Sequence, residues 1–206
     1  MGTINKLVLP LTVAVLASCG GQDRNKGAMD TSVAMSDQSA ARPSDAAPGA
    51  AATAGVTDPQ IAAIVVAANN ADIEGGRLAA SKSTNAKVKE FAQRMITDHE
   101  GVNKAATALV TKLGVTPEES ATSRQQTESG AQVRQTLQGK SGAEFDRAYI
   151  ANEVTYHQNL LSAIDQTLLP SVKNGELKGL LEQTRPAVAS HLKHAQELQA
   201  SLGGSS

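Results

Sequence analysis

The sequence predicts an all-α protein, an antiparallel four-helix bundle with a short extra helix or long connection between its second and third helices. Three observations carry this. Aromatic residues make up only 2% of the 206 residues and Trp is absent, a composition poor in the side chains that strands prefer. From Thr57 onward the apolar residues recur at helical spacing, with usable caps between the runs. No strand-like alternation interrupts them.

The first helix opens at Asp58-Pro59, an N-cap followed by Pro at the first helical position, and runs to about Ala80. Asn85 caps the second, and Gly114 stands just past Leu113, its last apolar residue. Thr116-Pro117-Glu118-Glu119 reads as a capping box opening a polar, weakly amphipathic segment anchored by Val133 and Leu137. Ser141-Gly142-Ala143-Glu144 is a second box and starts the third long helix, which Pro170 ends. Asn174-Gly175 precedes the last helix, which continues to about Leu202 and should be kinked or split at Pro186. The helical region spans 57–202, followed by a short tail at 203–206.

Ahead of it lie two segments of different character. Residues 1–18 have a weakly positive start with Lys6 and an apolar run from Leu7 to Ala17, too short to span a bilayer and suited to a signal peptide. Leu16-Ala17-Ser18-Cys19 resembles a bacterial lipobox, and Cys19 is the only cysteine. The resemblance implies an exported precursor lipidated at Cys19, with Gly20 favouring the outer membrane, facing the periplasm. Residues 20–56 are rich in Gly, Ala, Ser, Asp and Pro and predict a flexible tether. Fully extended, such a tether reaches on the order of 100 Å.

Candidate chemistry sits on the core faces. At roughly 100° per residue, the third helix aligns Asp146, Ile150, Glu153, His157, Leu161, Ile164 and Leu168. The second aligns His99 with Val88, Ala92, Met95, Ala106, Val110 and Leu113. The last aligns His191 with Leu177, Leu180, Thr184, Ala187, Ala195, Leu198 and Leu202. The first offers Asp72 on the stripe of Ile61, Val65 and Ala68, whereas Glu74 points away; His194 lies at the edge of its stripe and reads as solvated. Burying carboxylates and imidazoles costs several kcal/mol unless they are paired or metal-bound. Glu153 and His191 each lie 19 residues from the reversal near Val172. His157 is offset from that level by about one turn, roughly 6 Å, and Asp72 is offset from His99 by a similar amount. Asp72, His99, Glu153, His157 and His191 thus fall near one central level.

In order along the chain, Asp72-Ile73, Val88 through Met95 leading to Asp98-His99, Phe145 through Tyr149, His157 and His191-Leu192 resemble the bacterial envelope proteins catalogued as domain of unknown function 4142. The resemblance covers about residues 57–202. It implies a ferritin-like four-helix bundle and an exported location, and brings no established activity. Members often carry Asp-His where this chain has Tyr156-His157.

Two readings of the core polar groups stand at this level. In one, they satisfy each other, with Asp98, Asp146, Tyr149 and Tyr156 completing a structural network. The protein is then a non-catalytic envelope lipoprotein acting by interaction or as a structural module. In the other, the five groups hold one transition metal ion, Fe, Mn, Cu or Zn, with Met95 one turn before His99 bringing in copper. The Glu-x-x-His pairs of di-iron carboxylate bundles are absent, since Glu153 and His157 are four apart. No Gly-x-Ser-x-Gly elbow or Gly-rich phosphate loop suggests hydrolytic or nucleotide chemistry. The net charge of −1 gives no footprint for nucleic acid. The lipid makes the membrane the expected partner; the sequence names no protein partner and no oligomeric state.

Overall fold

In the computed structural model, residues 55–204 are described, and all of their regular structure is helical. The signal peptide, Cys19 and nearly all of the tether lie outside the described residues. No helix among the described residues is long and apolar enough to cross a membrane.

Five long helices form: α1 (Asp58–Lys82), α2 (Ala86–Leu113), α3 (Ala121–Gln138), α4 (Gly142–Ala163) and α5 (Gly175–Gly203). A π-helical turn, Ile164–Leu168, carries α4 on to Ser171, just past Pro170. Helix α1 packs along α2 and α3, α4 along α5, and α2 against α5.

The caps explain most of these boundaries and correct several expectations. Thr57, not Asp58, caps α1, in a reciprocal box with Gln60. Asp58 is thereby released to accept from the backbone N–H groups of Lys173 and Asn174, both at 2.9 Å, and ties the start of α1 to the turn before α5. Asn85 caps α2 through the N–H groups of Lys87 and Val88. Gly114 ends that helix with φ of 63°, a left-handed conformation that costs glycine little.

The predicted box at Thr116 does not form. The Glu118 N–H donates to the Pro59 carbonyl at 3.0 Å, holding that stretch extended against the start of α1. Helix α3 begins only at the Ser120/Ser123 box, and it is a full helix of 18 residues. The box expected at Ser141 also fails, because Glu144 turns outward to pair with Lys140 at 2.6 Å. Helix α5 runs unbroken through Pro186, whose side is exposed. Its buried stripe is Leu177, Leu181, Val188, His191, Ala195 and Leu198, so Ala187 and Leu180 are not the core positions that an ideal wheel assigned. His194 is half-buried, its ring edge-on to Phe91 at 5.2 Å between centroids, rather than solvated.

Two apolar clusters result. One gathers Ala79, Val88, Phe91, Met95, Phe145, Tyr149, Ile150, Ala195 and Leu198; the other Ile61, Ile64, Ile164, Leu168, Leu177, Leu181 and Val188. Read along the chain, α1 and α5 pass from the second cluster to the first, while α2 and α4 pass from the first to the second. Asp72, His99, Glu153, His157 and His191 all fall in the interval between them.

Close approach is secured by glycines. A Cβ at Gly76 would lie 3.0 Å from the Ala92 carbonyl oxygen and one at Gly130 would lie 2.7 Å from the Ala71 Cβ, so the first lets α2 approach α1 and the second α3. Near the chain reversal between α1 and α2, the buried Ser83 hydroxyl donates to Asp146 Oδ1 at 2.5 Å. Ser83→Ala would leave that buried oxygen without its donor, and urea denaturation should show a loss of about 1–3 kcal/mol.

Candidate metal centre

The five residues on the core faces come together from four helices. Asp72 of α1, His99 of α2, Glu153 and His157 of α4, and His191 of α5 are each at most 3% exposed. Donor atoms of His99, His157 and His191 lie within 4.8 Å of one another, and so do those of Asp72, Glu153 and His157. Asp72 links the two groups: its Oδ2 is 2.6 Å from His99 Nε2 and 3.6 Å from His157 Nε2. Glu153 Oε2 stands 3.5 Å from His157 Nδ1.

What matters is which atoms face inward. His157 Nδ1 meets the backbone carbonyl of Glu153 at 2.9 Å. A carbonyl only accepts, so Nδ1 carries the proton and the inward Nε2 is a bare lone pair. His191 Nε2 meets Asp98 Oδ2 at 2.8 Å, again an acceptor, which leaves Nδ1 as the lone pair. His99 Nδ1 meets Asn69 Oδ1 at 2.7 Å. That amide's orientation is set by its other end: Asn69 Nδ2 donates to Asn103 Oδ1, and Asn103 Nδ2 to Asn70 Oδ1. His99 therefore donates from Nδ1 and turns Nε2 inward. Asp72 faces it at 2.6 Å without hydrogen-bond geometry.

The centre is thus lined by acceptors. Both Asp72 oxygens, His99 Nε2, Glu153 Oε2, His157 Nε2 and His191 Nδ1 are buried without a hydrogen-bond partner among the described residues; Tyr149 Oη is the one hydroxyl in the same condition. Such groups cost roughly 1–3 kcal/mol each when left unpaired.

Charge follows the same geometry. Burial pushes the Asp72 carboxyl up, but attraction to His99 and His157 in their charged form, with hydrogen bonding by His99 and Glu153, outweighs it and holds the group below the ordinary carboxylate range. Burial and the negative charge of Asp72 push Glu153 well above that range. Burial lowers His157 to about 4, against the opposing pull of Asp72. Burial also lowers His191, against the hydrogen bond it donates to Asp98. One proton on Glu153 answers one acceptor and leaves the others facing each other.

The accessory residues divide clearly. Asp98 is half-exposed and bridges His191 to Arg94, the latter at 3.3 Å. Tyr156 donates to the Ala68 carbonyl at 2.7 Å. Tyr149 packs between Phe91 and Phe145 with its hydroxyl unpartnered, and burial raises its pKa well above 10.0. Asp146 sits apart with Ser83, and Glu74 points outward to Arg134 at 2.6 Å. Met95 lies within the first apolar cluster. Sequence reasoning missed Asn69; its signal was a buried amide three residues before Asp72 on the same helix.

The sequence model of the family described as Domain of unknown function (DUF4142) matches residues 41–198. The match spans most of the chain, which therefore belongs to that family of unknown function. No curated protein and no solved structure matches the chain.

The metal-free protein should carry the electrostatic signature of Glu153. Its folded pKa lies above its unfolded value, so its contribution to stability is complete below about pH 4.5 and declines as pH rises toward the folded pKa. Metal-free Glu153→Gln should gain on wild type as pH is raised above 4.5, by up to about 1.4 kcal/mol per pH unit. Urea denaturation across pH 4.5–8 would reveal this; a difference independent of pH would contradict it. His157 acts on the acid side in that variant. Its pKa is depressed from 6.5 to about 4, so the unfolded chain takes up the proton first and stability falls as pH drops through that interval, by about 3 kcal/mol in all.

Proposed function

We propose that this protein binds a single transition metal ion among Asp72, His99, Glu153, His157 and His191, in an exported lipoprotein held to the membrane through Cys19. The observation that carries the reading is the convergence of lone pairs: three oriented imidazole nitrogens and two carboxylates, with no cationic side chain among them. A divalent cation satisfies all of them at once, and its charge balances the two carboxylates. Each imidazole is held through its outer N–H by an amide, a carbonyl or a carboxylate, the arrangement that fixes metal-ligating histidines.

The donor chemistry fits. Metal–ligand bonds of about 2.0–2.2 Å place neighbouring donors about 3 Å apart, and Asp72 Oδ2 stands 2.6 Å from His99 Nε2 and 3.6 Å from His157 Nε2, on either side of that value. Imidazole with carboxylate suits iron, manganese or zinc, and imidazole also suits copper. The helix directions support a ferritin-like bundle, with α1, α2, α4 and α5 as its four members and α3 as the long return between the second and third. The alternative of a purely structural envelope module rests on a self-satisfied polar network, which the unpartnered atoms do not favour.

Metal analysis of the purified protein after incubation with Fe, Mn, Zn and Cu should find about one equivalent of iron, manganese or zinc. His99→Ala and His157→Ala should each reduce binding at least tenfold. Less than about 0.1 equivalent in the wild type would overturn the reading. Bound metal at 100 times its Kd should raise stability by about 2.7 kcal/mol, lost again on chelation.

A further inference from the structure

A cavity of about 130 Å³ lies among α1, α3, α4 with its π-helical turn, and α5, on the side of the second apolar cluster. Ile64, Ile164, Leu168 and Leu181 belong both to that cluster and to the cavity wall. No charged side chain and no imidazole lines it. Protein interiors are close-packed, and unfilled apolar space forfeits the contacts its lining would otherwise make. Ala68 of α1 and Ala163 of α4 both stand in the wall, where larger side chains would close the space.

The polar groups of the wall divide by depth. Asn69 and Thr184 lie inside and are already bonded, Asn69 to His99 and Asn103, and Thr184 to the Leu180 carbonyl at 2.8 Å. Thr122 and Thr167 are the exposed residues of the wall, so the cavity opens between the start of α3 and the π-helical turn. Their side chains make no hydrogen bond among the described residues, and neither does that of Gln126 beside them. In the turn itself, the Leu169 N–H reaches back to the Ile164 carbonyl. Pro170, which has no N–H, loosens the helical ladder there, and widened turns of this kind recur at functional sites.

We propose that this cavity binds a small uncharged molecule, apolar in body, with one hydrogen-bonding group left at the mouth beside Thr122 and Thr167. A cavity of about 150 Å³ lined by Leu, Ile and Phe stays dry and takes benzene, so a single ring is the size that fits. A charged ligand would lose its hydration and meet no counter-ion in the wall. Water inside would find the deep polar groups already engaged, whereas a hydroxyl at the mouth meets free ones. None of the five proposed metal donors lines the cavity, and the inference stands apart from the metal reading.

The test titrates the full-length protein with phenol, and with benzene and benzoate for comparison, reading the methyl resonances of Ile64 and Leu181 by NMR. Phenol should shift both saturably, benzene should do so with weaker affinity, and benzoate should not bind. Ala68→Leu, filling the cavity from α1, and Ala163→Leu, filling it from α4, should each weaken phenol at least tenfold. Thermal unfolding checks that they fold, and either one alone decides the point. Thr122→Val combined with Thr167→Val, which keeps the shape of the mouth, should weaken phenol severalfold and leave benzene unchanged. No saturable shift with phenol or benzene in wild type would overturn the proposal, as would unchanged phenol affinity in a folded filled variant. Benzoate binding as tightly as phenol, or a mouth variant that treats phenol and benzene alike, would overturn the assignment of an uncharged ligand held by its hydroxyl.

Discussion

The arrangement depends on a mismatch of hydrogen-bonding character at the centre of the helices. Three imidazoles and two carboxylates are buried between two apolar clusters, and the atoms they turn toward one another are acceptors. Acceptors facing acceptors are destabilising in a medium that screens charge weakly. On the proposed reading a cation relieves that mismatch, and the surrounding residues hold the outer histidine nitrogens in place. The amide chain of Asn69, Asn103 and Asn70 directs His99, a helix carbonyl directs His157, and Asp98 directs His191. None of these three anchors is itself among the converging donors, yet together they decide the chemical character of the site.

The helices make the convergence cheap to build. Each of α1, α2, α4 and α5 carries apolar residues above and below its polar residue, so the packing on both sides of the centre is secured without it. Glycines at 76 and 130 bring α2 and α3 close to α1. Helix α3 buries only Ser123 and Leu137. It therefore contributes little to the core, and its polar side chains Gln125, Gln126 and Ser129 line a cleft against α1 and α4.

Much of this was legible from residue spacing because a polar group on an apolar stripe stands out against a period of 3.6. Asp72 was separated from Glu74 in that way, and the count from Val172 brought Glu153 and His191 to one level. The failures have local physical causes. Asp58 appeared to be a cap because its own sequence position suited it, but its carboxylate is used by backbone 115 and 116 residues away. Thr116 lost its helix to a backbone contact with Pro59, and Ser141 lost its box to Lys140. The stripe of α5 differs from an ideal wheel, with Leu181 and Val188 buried in place of Leu180 and Ala187. Least legible were the tautomers. They depend on which atom each outer nitrogen meets, and spacing along a helix carries no information about that.

X-ray absorption at the edge of the bound metal tests the central claim most directly. In the iron-, manganese- or zinc-loaded protein, the account predicts a first shell of about three imidazole nitrogens with carboxylate oxygen at about 2.0–2.2 Å. His191→Ala should reduce the imidazole count by one. A first shell of oxygen alone, with no imidazole scattering, would place the metal elsewhere and contradict the account.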